Sequence, residues 1–167
     1  MRRAPDDAAA YYAFGVTYNR AGQSEQSVDA LRHALRLNPA DAEARNALAA
    51  SLDNLGTSLL AREEAEKAIA ASRESLTLRP EDASTHNNLG LALHAAGRVN
   101  DAIQEVRAAV RIKPDYAEAH ANLALMLEAT GAVADAKAHF ETAVRLQPDH
   151  QGIRESYAAF LARHRME

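Results

Sequence analysis

The residues able to do chemistry are few, and their spacing does not bring them together as a reacting site. The chain has seven histidines and no cysteine. A thiolate nucleophile, a thiolate metal ligand and a disulfide framework are excluded together. No two histidines stand at the i, i+4 spacing with which one helix grips zinc. His86 and His120 are instead 34 residues apart, which suits packing or surface roles in a repeating structure. The run Glu63-Glu64-Ala65-Glu66-Lys67 gathers carboxylates, but on a helix it makes a solvated face with intrahelical ion pairs. General acid and base work would also need a shaped pocket and shifted pKa values. No Gly-x-Ser-x-Gly elbow, phosphate-cradling glycine loop or dinucleotide fingerprint is present. The reading is of a chain that is not an enzyme, with no catalytic residue, no metal site and no cofactor.

What remains is a column of amides. Asn54, Asn88 and Asn122 each stand directly before a leucine. On stacked helices they would form a ladder, and an amide that both donates and accepts can hold the backbone of an extended peptide with little regard to its sequence. The alternative is that these amides only bridge neighbouring helices, because Asn within a helix is costly and is often held by local hydrogen bonds. Both readings stand on the sequence.

The elements that would carry the ladder are set by internal repetition. Pro39, Pro80, Pro114 and Pro148 each close a similar phrase: Leu-Arg-Leu-Asn-Pro, Leu-Thr-Leu-Arg-Pro, Val-Arg-Ile-Lys-Pro and Val-Arg-Leu-Gln-Pro. The last three prolines are 34 apart, and Pro39 to Pro80 is 41. Phe14, Leu55, Leu89 and Leu123 keep the same step, each followed by a small residue, Gly15, Gly56, Gly90 and Ala124. Ser27, Ala68, Ala102 and Ala136 form another column, and Ala34, Ser75, Ala109 and Ala143 a third. Within one unit Leu89, Ala92, Leu93 and Ala96 have helical spacing, Gly97 stops the helix, and Ala102, Ile103, Val106 and Ala109 resume it before Pro114. Each unit therefore reads as two helices and a turn, with Gly22, Gly97 and Gly131 in the turns. Asp41, Asp82, Asp115 and Asp149 are suited to capping the helix that follows. Ser72 and Ser75 replace large and small apolar residues, which predicts loose packing of that outer helix.

This pattern of Leu-Gly, a larger residue three on, Gly at the turn, Ala, and a closing Pro resembles the tetratricopeptide repeat family. The resemblance covers roughly residues 8 to 150. It implies an all-α, right-handed α-solenoid of four helical hairpins in one domain over 1–167. The repeats fall at about 8–41, 42–82, 83–116 and 117–150, with a C-terminal capping helix at 151–167. The cap is expected to be polar on its outer side through Arg154, Glu155, Arg163 and His164. The seven extra residues of the second unit equal two helical turns to within about 20°. Matching Asn54-Leu55-Gly56 to Asn88-Leu89-Gly90 puts them in a first helix running from about Asp41 to Arg62; the alternative uses Gly56 as a turn. Pro5 is in phase with the closing prolines, yet no repeat precedes it. The aromatic residues Tyr11, Phe14 and Tyr18 are thus predicted to form a surface that self-associates or is buried by residues missing from the chain.

The formal charge is -4, with both signs interspersed, so nucleic acid is not expected as a partner. Asp6 and Asp7 interrupt any signal-peptide core, and no apolar run is long enough to cross a membrane, so a cytoplasmic location is expected without membrane insertion. The resemblance implies a protein- or peptide-binding scaffold whose first helices line a concave groove. Its lining would be Tyr12, Asn19 and Arg20 in the first repeat, Asp53, Asn54 and Thr57 in the second, Asn87, Asn88, Leu91 and His94 in the third, and Asn122, Leu125 and Glu128 in the fourth. This mixed face, short of cations, suits an internal extended or helical segment better than a clamped C-terminal carboxylate. The rivals are the recognition arm of a multidomain enzyme, such as a glycosyltransferase or sensor kinase, and a self-assembling scaffold.

Overall fold

The computed structural model describes residues 7–164, and among them every regular element is an α-helix. The Pro5-Asp6 phrase lies outside the described residues. The chain divides into two compact units, Met1–Glu81 and Asp82–Glu167, and the division falls where one repeat gives way to the next. The first unit holds α1 (Ala8–Arg20), α2 (Ser24–Leu37), α3 (Ala42–Ala61) and α4 (Ala65–Leu78). The second holds α5 (Ala83–Ala95), α6 (Val99–Ile112), α7 (Ala117–Ala129), α8 (Val133–Leu146) and α9 (Gln151–His164).

The helix starts follow from the position of Asp relative to Pro. The side chains of Asp7, Asp41 and Asp82 accept from the backbone N–H of Ala9, Ala44 and Thr85 at 2.9, 2.9 and 3.0 Å, satisfying donors that no helical carbonyl reaches. Asp41 and Asp82 stand two residues after a proline. Asp115 stands only one after Pro114, so Tyr116 takes the cap position of α7 and no side chain bonds there. The expectation that Asp115 caps is corrected on that count. At α9 the His150 ring takes the role expected of Asp149: the N–H of Ile153 donates to its Nδ1 at 3.3 Å.

Within each hairpin the chain reverses through one left-handed residue. Gly22, Gly97 and Gly131 hold φ of 73°, 76° and 81°, where a side chain is disfavoured. In the second repeat Glu63 holds φ 60° instead. Gly56 is not a turn: α3 runs through it without a break and gains two turns over α1, α5 and α7. Gly56 serves its other role, the close approach of paired helices. A Cβ built at Gly90 would stand 2.4 Å from Val106 Cγ2, and one at Gly15 would stand 2.4 Å from Leu31 Cγ. At Gly56 the opposing residue is Ser72, and the nearest atom would be its Oγ at 3.2 Å.

The expected loose packing of α4 is not what the buried serines show. Ser72 and Ser75 are 1% and 0% exposed, and Ser75 Oγ donates to the carbonyl of Ala49 at 3.2 Å. In α2 the buried Ser27 hydroxyl donates to the carbonyl of Gly15 at 2.7 Å and lies 2.8 Å from Ser51 Oγ, which ties α1, α2 and α3 together. These bonds replace methyl packing with satisfied polar contacts, so the small residues cost little.

The extra turns of α3 shift its two neighbours along it. Ser27 of α2 meets Ser51, while Ser75 of α4 meets Ala49, almost the same level of α3. Ser75 is the repeat equivalent of Ala34, seven residues beyond Ser27. The outer helices α2 and α4 are therefore out of step by about two turns, roughly 10 Å at 1.5 Å per residue. In the second unit Ala143, the equivalent of Ser75, packs with Ala117 at the first turn of α7, where a repeat without an insertion places it.

α9 closes the second unit. Phe160 is fully buried, with its ring centroid 5.2 Å from that of Phe140, and Tyr157 stacks on Phe140 at 5.6 Å. Arg154 and Glu155 are exposed, as expected of an outer face. Arg163 and His164 are not part of that face. Both turn toward α7 and bind Glu128, because a carboxylate on the neighbouring helix faces the end of α9.

Candidate functional site

The face expected to bind consists of side chains of the odd-numbered helices that the cores leave over. In the first unit Tyr12 is half-buried on α1, while Arg20 is exposed at its last turn. Asn54 and Thr57 are exposed on α3. Asn54 Nδ2 donates to Asn19 Oδ1 at 2.9 Å, so this amide pair links α1 to α3. Thr57 Oγ1 donates back to the Asp53 carbonyl at 3.1 Å. Asp53 is only partly exposed and binds Arg79 Nη2 at 2.6 Å.

The second unit repeats the amide pair with the same offset of 35 residues. Asn122 Nδ2 donates to Asn87 Oδ1 at 3.0 Å. Asn87, expected to face a partner, is 4% exposed, and its carbonyl oxygen is spent on this bond. Of the ladder, Asn54 and Asn122 thus bridge neighbouring first helices, and Asn88 keeps its amide outside these pairs. Glu128 is likewise engaged. Arg163 binds it through two bonds of 2.8 Å and His164 through one of 2.9 Å, and the guanidinium beside it holds its carboxyl below the usual range, with the His164 bond adding to this. What stays open on this face in the second unit is Asn88 and Leu91, both half-buried, with exposed His94 on α5 and Leu125 on α7, the last 41% exposed. The arrangement offers apolar contact and a few hydrogen bonds. It offers no nucleophile held against a base.

The histidines form pairs that the sequence did not reveal. His86 Nδ1 lies 2.7 Å from Glu105 Oε2, and one repeat later His120 Nδ1 lies 2.9 Å from His139 Nδ1. His120 Nε2 lies 3.1 Å from the Pro114 carbonyl, which can only accept. That contact places a proton on His120 Nε2, and in the neutral ring Nδ1 is then the acceptor for His139 Nδ1–H. Ring centroids 5.1 Å apart put the two rings nearly end to end, so one proton fills the gap and a metal ion has no room there. Among the described residues no three histidine or carboxylate side chains come together as a metal site. The signal that could have found these pairs is the spacing of 19 residues, from 86 to 105 and from 120 to 139.

Comparison with known proteins agrees with the repeat register. Models described as tetratricopeptide repeat match residues 8–41, 54–117 and 117–150. No curated protein matches the chain in sequence. Among solved structures, Pseudomonas aeruginosa pilF is 28% identical, with 95% of this chain and 69% of that chain covered and a TM-score of 0.67. The first TPR of Spaghetti (RPAP3), bound to the HSP90 peptide SRMEEVD, is 16% identical, covering 69% of this chain and 91% of that one at a TM-score of 0.64. YrrB, a TPR protein with an unusual peptide-binding site, is 19% identical, covering 90% and 92% at a TM-score of 0.62. The last two likenesses are of fold alone.

Proposed function

We propose that this chain, which belongs to the tetratricopeptide repeat family, is a non-catalytic scaffold that binds a protein or peptide through the odd-numbered helices of its compact units. Repeats and neighbours of this kind support a binding scaffold, and one such neighbour holds a peptide of HSP90. The observation that carries the finer reading is Leu125. A leucine 41% exposed on α7 has Leu91 at the equivalent position one repeat earlier, and Asn88 and His94 flank that column with hydrogen-bonding groups. Apolar side chains of a ligand would rest on the leucines while the Asn88 amide meets its backbone. Among the residues read as lining this face in the second unit there is no lysine or arginine. An internal extended or helical segment therefore fits better than a free C-terminal carboxylate, for which a cluster of cations is the usual match.

The test is titration of an identified partner against Leu91→Glu, Leu125→Glu and Asn88→Ala. Each should weaken binding, the charge insertions by about tenfold or more, since they place a carboxylate where apolar contact is made. Full affinity in all three would remove the reading.

A second reading has its own observation. Phe14 and Tyr18 of α1 are 49% and 37% exposed, and Tyr11 meets Phe14 edge-on. An aromatic stripe so open supports self-association through the first repeat. Light scattering over a concentration series would show it as a rising mass that Phe14→Ser with Tyr18→Ser abolishes.

A further inference from the structure

The repeat register leaves α1 and α9 each with an open face, and the two faces differ in shape. Phe14 stands in the column of Leu89 and Leu123, which are 2% and 0% exposed, and Tyr18 in that of Leu59, Leu93 and Leu127, all buried. In α9 the Phe14 column reaches Tyr157, whose ring stacks on Phe140 of the outer helix before it. Among the described residues no helix does this for α1. Phe14 and Tyr18, one turn apart on one face, are therefore 49% and 37% exposed.

The open face of α9 is a notch. Ala158 continues the column of Gly15, Gly56, Gly90 and Ala124, where an outer helix comes so close that a Cβ at Gly90 would stand 2.4 Å from Val106 Cγ2. Ala124 is fully buried, whereas Ala158 and, one turn on, Ala162 are exposed.

We propose that α1 of a second copy docks on α9, antiparallel to it, with Tyr18 over Ala158 and Phe14 over Ala162. This rests on the self-association reading above and names the surface that receives the aromatic stripe. Size argues for the match, since two rings one turn apart meet two methyl groups one turn apart and fill the space between them. Charge fixes the direction. With Tyr18 over Ala158, antiparallel docking brings Arg20, exposed at the end of α1, level with Glu155, exposed in the first half of α9. Glu155 accepts from Gln151 Nε2 through Oε1 at 2.6 Å, and its second oxygen lies outside that bond. Parallel docking would instead set Arg20 against Arg163 and His164. The contact is heterologous, one copy giving α1 and the other α9. A single pair of helices is smaller than a standard stable interface, so association calls for concentrations of about 0.1–1 mM.

The experiment is analytical ultracentrifugation of the purified chain, Phe14→Ser, Ala158→Glu and an equimolar mixture of the two variants. Both positions are exposed, so neither change enters the core, and circular dichroism confirms the fold of each variant. The native chain should gain mass with concentration, and each variant alone should stay monomeric. The mixture should form one-to-one dimers, because Ala158→Glu keeps an intact α1 and Phe14→Ser an intact α9. Arg20→Glu should weaken native association, and adding Glu155→Arg to the same chain should restore it. Association of Ala158→Glu equal to that of the native chain would keep the aromatic stripe as a contact between two α1 helices and overturn its docking on α9. A mixture that stays monomeric, or Arg20→Glu rescued by nothing at Glu155, would also overturn it. A native chain monomeric at about 1 mM would overturn both this inference and the self-association reading.

Discussion

His139 Nδ1 lies 2.9 Å from His120 Nδ1, and a single proton shared between the two nitrogens fastens α8 to α7. Burial first, then the His120 ring, and more weakly Arg107, push the His139 pKa below its ordinary value, while Asp135 pulls the other way. A histidine with a depressed folded pKa binds fewer protons folded than unfolded. Stability is therefore complete above the unfolded value of about 6.5 and is lost as pH falls from there through the folded pKa. Melting temperatures at about pH 7.5 and about pH 5 should fall further apart for the native chain than for His139→Gln. Equal differences would contradict the assignment.

Glu63 holds a left-handed backbone that costs an ordinary residue about 1 kcal/mol or more, and glycine adopts it freely. After the greater chain entropy of glycine is offset, Glu63→Gly should stabilise the protein by a few tenths to about 1 kcal/mol, measured by urea unfolding. Glu64, which makes the ion pairs with Arg62 and Lys67, is untouched by this change.

The glycines of the Leu-Gly column should rank by what opposes them. Gly90→Ala drives a methyl into Val106 and within 3.1 Å of the Ala102 carbonyl, so overpacking should cost about 1–3 kcal/mol. Gly56→Ala meets the smaller Ser72 at 3.2 Å, and the better helix propensity of alanine offsets the contact. Its expected effect is within about 1 kcal/mol of zero. Thermal unfolding of the two variants, compared directly, checks the order.

How far the sequence goes is clearest in α3. The Asn-Leu-Gly match placed the insertion in this helix and its ends within a residue or so, because helix period and proline stops are local signals. What escaped was the consequence one helix away. That α4 slides along α2, and that Glu63 takes up a glycine's conformation, depends on how two chain segments meet. The amides show the same limit. Their column was legible, but whether Asn122 faces a ligand or Asn87 depends on an offset of 35 residues rather than 34, set by the pitch between stacked helices. Arg163 and His164 read as solvent-facing because their partner, Glu128, is far away in sequence.

α9 should contribute heavily to the second unit. Phe160 is fully buried against Phe140, and Phe160→Ala should cost about 3–5 kcal/mol through lost burial and the cavity left behind. Arg163→Ala removes an exposed partner of Glu128 and should leave stability close to that of the native chain. Denaturant midpoints for the two variants would separate the roles.

Asn122→Ala is a poor probe of binding, since it strips the buried Asn87 carbonyl of its donor and should cost about 1–3 kcal/mol of stability. Leu125 is free of that problem. The measurement that bears most directly on the proposed role is calorimetric titration of an identified protein partner against native chain, Leu125→Glu and Arg145→Glu. Arg145 is exposed on α8, away from the odd-numbered helices. The account predicts a loss of about tenfold or more with Leu125→Glu and affinity unchanged with Arg145→Glu. Native affinity with Leu125→Glu, together with loss in Arg145→Glu, would contradict it.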